Sequence, residues 1–313
     1  MVVHFFSINF FSIPLTQYIE KYFSEKQGVD KIFICHNVLN DHPMRYSSKS
    51  EIIPIFTYNF YKDFIRDNEG ILFKLKKYLK LFLILLKSAI SSKKIIWYTI
   101  DYQIIPLIYS VSFFKKSKCF IIYHEFELVQ KETMNRFNSI FFNLYKRLSA
   151  KIDLVIVPEA NRLEYLLKTT NVRKENTLLF PNTCFSNHDL TFRDHELLET
   201  IGKNTFLVGH IGNVGPDHFL KSVLEVIAAF KNTNDITFLF IDSYSKEVKE
   251  IIAQYKLENL IVIDRIRHAE LNSIYQRINL GLILYKPVGL NYEFCAPNKL
   301  YEYWSFGIPV IAH

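Results

Sequence analysis

Short apolar runs and longer amphipathic stretches alternate along this chain in two series, with one polar break between them. That alternation restricts the folds open to it. In the first series, runs rich in Ile, Val and Phe at 2–8, 31–36, 52–56, 95–99, 119–123, 154–157 and 177–180 read as strands. Their apolar residues barely alternate with polar ones, so both faces are expected to be buried, as in a parallel sheet. Helical stretches lie between most of them, at 15–26, 69–91, 103–114, 135–150 and 159–168. Strand–helix–strand succession implies right-handed crossovers and a doubly wound layer structure. The stretch 182–203 is polar and holds no apolar strand. Alternation then restarts, with strands expected at 206–211, 237–241, 260–263, 280–284 and 309–312, and helices at 218–231, 245–256, 268–277 and 297–306.

The expected fold class is therefore α/β, with two Rossmann-like domains facing across a cleft. The domains are expected at 1–185 and 205–313, joined by a linker at 186–204. A length of 313 residues agrees with two domains. Ligands of such sheets bind beyond the carboxyl ends of the strands, which places the expected site in the cleft. The sequence stops one residue after an apolar strand, with no closing helix. The second domain is expected to be incomplete at its C-terminus.

Composition narrows the class. With 49% apolar residues, 28 Phe and 19 Tyr against 9 Gly, there is ample apolar surface to offset chain entropy, so a disordered chain is excluded. The four cysteines, Cys35, Cys119, Cys184 and Cys295, form no C-x-x-C pair, which disfavours zinc or redox use and fits a reducing cytoplasm. Residues 1–195 hold 27 Lys and Arg against 18 Asp and Glu, or +9, while the remainder holds 11 against 13, or −2. An uneven basic half suits an anionic partner such as a bilayer surface or a lipid-phosphate acceptor, or simply a solvated surface. No nucleic-acid motif accompanies the charge, so nucleic acid is not an expected partner. The run 78–90 is apolar nearly all round but too short to span a bilayer, which needs about 20 apolar residues. It reads first as a buried core helix and second as an interfacial helix on a membrane. The expected location is cytoplasmic, with peripheral contact on the inner face of an anionic plasma membrane.

One segment carries chemistry. In "CAPNKLYEYWSFGIPVIA", residues 295–312, Pro297 can take the first helical position, where a missing N–H costs nothing. Asn298 and Lys299 then sit in the first turn. The unpaired N–H groups and positive end of a helix favour an anion there, and Lys299 adds a full charge. Glu302, three residues on, shares the face of Lys299 and could accept hydrogen bonds from ribose hydroxyls. The alternative is an ordinary amphipathic helix with a surface Lys–Glu pair. Upstream, Gly209, Gly212 and Gly215 form a G-x-x-G-x-x-G loop that permits close backbone approach. In the first half, "HEFE" places His124, Glu125 and Glu127 after a strand, with at most one of the two carboxylates expected to point into the cleft.

Residues 295–312 closely resemble the donor-binding motif of retaining GT-B glycosyltransferases of family four. "LVGHIGNVG" at 207–215, residues 259–287, "IIYHEFEL" at 121–128 and residues 153–182 are similar to further parts of that family, so the resemblance covers most of the chain from about 95 onward. It implies a hexosyltransferase that takes a nucleotide diphosphate sugar as co-substrate and passes the sugar to a glycan or lipid-linked acceptor, in bacterial surface polysaccharide synthesis. Glu302 matches the family's ribose-binding acid, and His124 the His that contacts the donor sugar or phosphate. Asn298, Lys299 and Gly212 are the accompanying donor-site candidates. The family's Glu-x7-Glu is displaced here: Phe294 holds the expected place, and Glu293 beside it becomes the candidate sugar contact. Lys221 is a candidate phosphate grip that fits its position poorly. No D-x-D triplet occurs, so neither metal nor other cofactor is expected. Other readings are a sugar-nucleotide epimerase and a non-catalytic glycosyltransferase-like partner subunit.

Overall fold

A computed structural model of the chain describes residues 1–10, 14–39, 46–58, 70–90, 94–114, 119–130, 134–183, 201, 205–212, 214–233, 235–241, 246–263 and 268–313. The chain divides into two compact units, Met1–Pro181 and Asn182–His313. Of the expected linker, only Ile201 is described, and it is buried in the core of the second unit.

The first unit is built on a seven-stranded parallel sheet of order β3-β2-β1-β4-β5-β6-β7. Its strands are β1 (Val2–Phe10), β2 (Lys31–Leu39), β3 (Ser50–Tyr58), β4 (Ile95–Thr99), β5 (Cys119–His124), β6 (Leu154–Val157) and β7 (Thr177–Leu179). Its helices are α1 (Pro14–Glu25), α2 (Ile71–Ile90), α3 (Ile104–Ser112), α4 (Arg136–Leu148) and α5 (Ala160–Thr169). Successive strand residues point to opposite faces, so Phe5 and Phe6 enter different cores. Phe6 and Trp97 pack with Leu81, Leu85, Ile108, Phe142, Tyr145 and Leu166 from α2 to α5. Phe5, Ile32, Ile34 and Tyr98 pack with Ile19 and Phe23 of α1. Asn135 and Glu159 cap α4 and α5, each side chain accepting from a backbone N–H three residues on.

The α2 helix corrects the expectation of a buried core helix. Leu81, Leu85 and Ala89 are buried against the sheet, and Trp97 of β4 donates its indole N–H to Ser88 at 3.0 Å. Leu72, Leu75, Leu79 and Leu83 are exposed. A helix in the outer layer of a doubly wound unit has only one stripe against the sheet, whatever its opposite face carries.

The second unit repeats the plan with five parallel strands of order β10-β9-β8-β11-β12. These are β8 (Phe206–Ile211), β9 (Ile236–Ile241), β10 (Leu260–Ile263), β11 (Leu280–Ile283) and β12 (Val310–Ala312). Helices α6 (Leu220–Ala229) and α7 (Lys246–Tyr255) cover one core. Helices α8 (His268–Tyr275) and α10 (Asn298–Ser305) cover the other, and a short α9 (Leu290–Glu293) precedes α10. The α10 helix ends in a Schellman turn. Gly307 adopts φ 70°, its N–H meets the Trp304 carbonyl, and the Ile308 N–H meets that of Tyr303.

The sheet opens between β8 and β11. These strands pair only through Val208–Leu280 and Gly209–Gly281, although β8 runs on to Ile211. The ladder groups left over on β8 are taken by α10. The buried Tyr303 hydroxyl donates to the Gly209 carbonyl at 2.9 Å and accepts from the Ile211 N–H at 3.2 Å. Tyr303→Phe removes both bonds and leaves two buried backbone groups short of a partner. Such groups cost about 1–3 kcal/mol each, so the expected loss in a urea titration is about 3 kcal/mol, with the slope of the transition unchanged.

Candidate functional site

The strand order of the second unit reverses at β8 and β11, with β9 and β10 on one side and β12 on the other. In open α/β sheets that point, beyond the carboxyl ends of the strands, is where ligands gather. The α10 helix connects β11 to β12, so its N-terminus lies at this end of the sheet. Pro297 is not the first helical residue as expected, but the residue before it, with φ −72° and ψ 123°. Proline has no side-chain acceptor, and no side chain caps α10. The tip therefore presents its first N–H groups without the carboxylate or hydroxyl that usually answers them. An anion is the ligand such an end favours.

Lys299 lies against β8 at this tip. A Cβ built on Gly212, which adopts φ 107°, would stand 2.9 Å from the Lys299 Nζ and 3.3 Å from its Cε. The ammonium thus rests on the backbone just past the end of β8, 5.5 Å from the centre of the Tyr285 ring. Asn298 is half-buried, and its Oδ1 is buried with no hydrogen-bond partner among the described residues. One turn on, Glu302 is half-buried and its Oε2 accepts from the Tyr275 hydroxyl at 2.5 Å. Tyr275 is itself fixed by stacking on Phe306 at 5.2 Å. Gly212, Asn298, Lys299 and Glu302 are thus gathered at one end of the sheet. Glu293 is exposed at the end of α9, and among the described residues its carboxylate has no partner.

The sequence reading missed His218. His218, expected to open a helix, instead ends a 3-10 turn, Pro216–His218, followed by Phe219 at φ 56° and then α6. A bulky residue in the left-handed region costs about 1 kcal/mol or more, and such strain clusters where a chain must be aimed. The turn buries His218 among Tyr285 at 5.3 Å, Tyr292 at 5.8 Å and His210 at 6.3 Å. Burial, then the charge of Lys299, lower its pKa, opposed by Asp217. The imidazole is therefore neutral near pH 7, and its Nδ1 is buried without a partner among the described residues. Lys221 is exposed on α6.

The first unit has a cavity of about 380 Å³ beyond the ends of β1, β4 and β5. Ser7, Asp101, Gln103, Tyr123, Phe126 and Glu127 contribute to its lining. Asp101 accepts from the Ile8 N–H at 2.7 Å. His124 does not line it. The imidazole is fully buried, bonded through Nδ1 to the Tyr98 hydroxyl at 2.5 Å and stacked on Phe126 at 4.3 Å. Desolvation drives its pKa down to about 3, and its Nε2 has no partner among the described residues. Of the two carboxylates, Glu127 lines the cavity and Glu125 is buried; residues two apart on an extended segment would share a face, and the bend at Phe126 and Glu127 parts them. Burial raises the Glu125 pKa to about 8, against opposing effects of Arg162 and the Val129 backbone. Glu125 is therefore largely protonated at neutral pH. Among the described residues, no group of three or more His, Cys, Asp or Glu could hold a metal ion.

The buried carboxyl makes a signed expectation. A folded pKa above the unfolded one means that the native state holds the proton, so stability falls as pH rises from about 4.5 to about 8. Glu125→Gln lacks that loss. Its stability relative to the native chain should climb by up to about 1.4 kcal/mol per pH unit across this window and level off above it. Urea titrations at several pH values measure the difference.

No protein-family model matches the sequence, and no curated protein matches it. Solved structures match the fold. Sucrose-phosphate synthase from Thermosynechococcus elongatus superposes with a TM-score of 0.68 at 12% identity, over 99% of this chain and 80% of that one. WaaG, a glycosyltransferase involved in lipopolysaccharide biosynthesis, gives 0.67 at 9% identity, over 100% and 80%. Anabaena HepE, in complex with UDP and glucose, gives 0.64 at 15% identity, over 99% and 80%. At such identities the likeness is one of fold, and that fold is the pair of parallel-sheet Rossmann-like domains of the GT-B enzymes.

Proposed function

We propose that this chain is a glycosyltransferase that binds a nucleoside diphosphate sugar on its second unit and passes the sugar to a glycan or lipid-linked acceptor. The observation that carries the reading is the Lys299 ammonium, seated beside an uncapped helix tip and the Gly212 backbone at the switch point of the sheet. A diphosphate placed there meets N–H donors, a helix dipole and a full positive charge. Glu302, held by Tyr275 one turn along, is positioned for ribose hydroxyls. Asn298 Oδ1 and His218 Nδ1 are buried groups with hydrogen-bonding capacity to offer. Glu293 on α9 enters the reading as a sugar contact. The match of fold to HepE, crystallised with UDP and glucose, supports the same ligand class.

The leaving diphosphate gains charge as the glycosidic bond breaks. The helix tip and Lys299 stabilise that charge without a metal ion in this reading. For retention, the acceptor oxygen bonds to the anomeric carbon on the face the diphosphate leaves, and the acceptor proton passes to a diphosphate oxygen. The first-unit cavity, with Tyr102, Tyr123, Phe126, Asp101, Gln103 and Glu127, offers the aromatic and polar lining that a sugar acceptor needs. His124 is assigned a catalytic contact through Nε2, reached when Phe126 swings aside. The cysteines form no C-x-x-C pair, which suits a reducing cytoplasm, and the reading places the reaction there, in surface polysaccharide synthesis.

Thermal unfolding with UDP-, GDP- and ADP-sugars tests the proposal, since a ligand of the native state raises the midpoint. One nucleotide class should stabilise the chain. Lys299→Ala should weaken that nucleotide and inorganic pyrophosphate alike by about tenfold or more, the scale of a charge-assisted bond. Glu302→Gln should weaken the nucleotide and spare pyrophosphate. Absence of a shift with every nucleotide would reject the reading.

A further inference from the structure

The outer face of α2 carries an aliphatic line. Leu72, Leu75, Leu79, Leu83 and Ile90 follow one another at helical spacing and are between 53% and 75% exposed. From Leu72 to Ile90 the line runs about 27 Å, at 1.5 Å per residue. Lys76, Lys80 and Lys87, all exposed, run along one edge of it. The neighbouring α4 continues the surface, for Tyr78 of α2 packs against Phe137 and Phe141 of α4 at 5.6 and 4.9 Å. On α4, Ile140 and Leu144 are exposed beside exposed Arg136, Lys146 and Arg147. Phe113 and Phe114, at the end of α3, are exposed as well.

Among the described residues the charge on this face has one sign. The α2 helix presents exposed Lys76, Lys80 and Lys87 and α4 presents exposed Arg136, Lys146 and Arg147, giving six cations, while Lys77 is buried, and none of the helices α2, α3 and α4 contains Asp or Glu. Two classes of occupant are disfavoured by that fact. A second copy of this chain docked on the same face would set six cations against six, because a two-fold interface repeats one patch on both sides. A solvated surface would not keep five large aliphatic side chains in register. A flat anionic surface with an apolar interior satisfies both features at once. Leucines enter the acyl boundary, while lysine stems lie along it and place their ammonium groups among phosphates.

We propose that the α2–α4 face of the first unit is a docking surface for a lipid bilayer with anionic headgroups. The chain lies on the membrane by this face and does not enter it as a span: among the described residues, no helix is long and apolar enough to cross. The inference is independent of the donor site, which lies on the other unit.

Flotation with vesicles of phosphatidylcholine, with and without phosphatidylglycerol, tests it. The chain should float with the anionic vesicles, and raising salt from about 0.1 M to about 1 M should release most of it. A juxtamembrane lysine contributes about fivefold, so K76Q, K80Q and K87Q together should weaken binding about a hundredfold. L75S with L79S should weaken it to a similar degree without lowering the thermal midpoint, since both residues are already exposed. K21Q with K26Q, two exposed positions at α1 on the opposite face, should leave binding unchanged. Equal binding to neutral vesicles, full binding by the leucine variant, or binding only to an acidic protein would overturn the proposal. The nucleotide-induced thermal shift of the same variants separates failure here from failure of the donor-site reading.

Discussion

The Tyr303 hydroxyl stands where β8 and β11 part, and the architecture of the second unit depends on it. A parallel sheet can open at its switch point only if the ladder groups released there find other partners. Tyr303 supplies both, a donor for Gly209 and an acceptor for Ile211. The same bonds fix α10 against the end of β8. Lys299, one turn before Tyr303, is thereby held beside Gly212, and Glu302 is turned toward Tyr275. One side chain thus converts an opening in the sheet into an ordered helix tip, the one the proposed reading gives to a diphosphate.

The two units use buried titratable groups differently. In the second, positive charge is kept accessible: Lys299 is half-buried, and the histidine nearest to it is held neutral by burial and by that same charge. In the first, the groups behind the cavity are neutral. Desolvation drives the His124 pKa to about 3 and raises that of Glu125 to about 8. An anionic donor suits the first arrangement and an uncharged hydroxyl acceptor the second, a division of labour that general electrostatics would favour.

Much of the fold was legible in the sequence because buried parallel strands are unbroken apolar runs. Ile95–Thr99, Leu154–Val157, Phe206–Ile211 and Leu260–Ile263 lie where composition put them. Strands that continue through polar residues were read short. Asn37 prolongs β2 by spending its amide on the Ile8 carbonyl of β1, a partner 29 residues away. The exposed line of α2 was illegible for a different reason: leucine on every side of a helix does not say which side meets the sheet. At the site, the helix tip, Lys299 and Glu302 followed from local spacing. Tyr275 and His218 did not, since each acts through contacts with distant residues. Nor did Phe126, whose ring separates His124 from the cavity.

The central claim is that the amino end of α10 and the Gly212 turn form one binding surface for a diphosphate. Adding UDP to the ¹⁵N-labelled chain and following backbone amide resonances tests it most directly. The account requires that Gly212, Asn298 and Lys299 shift together and saturate at one concentration, with Glu302 joining them. Saturable binding that leaves those amides unmoved, and shifts residues elsewhere in either unit, would contradict it.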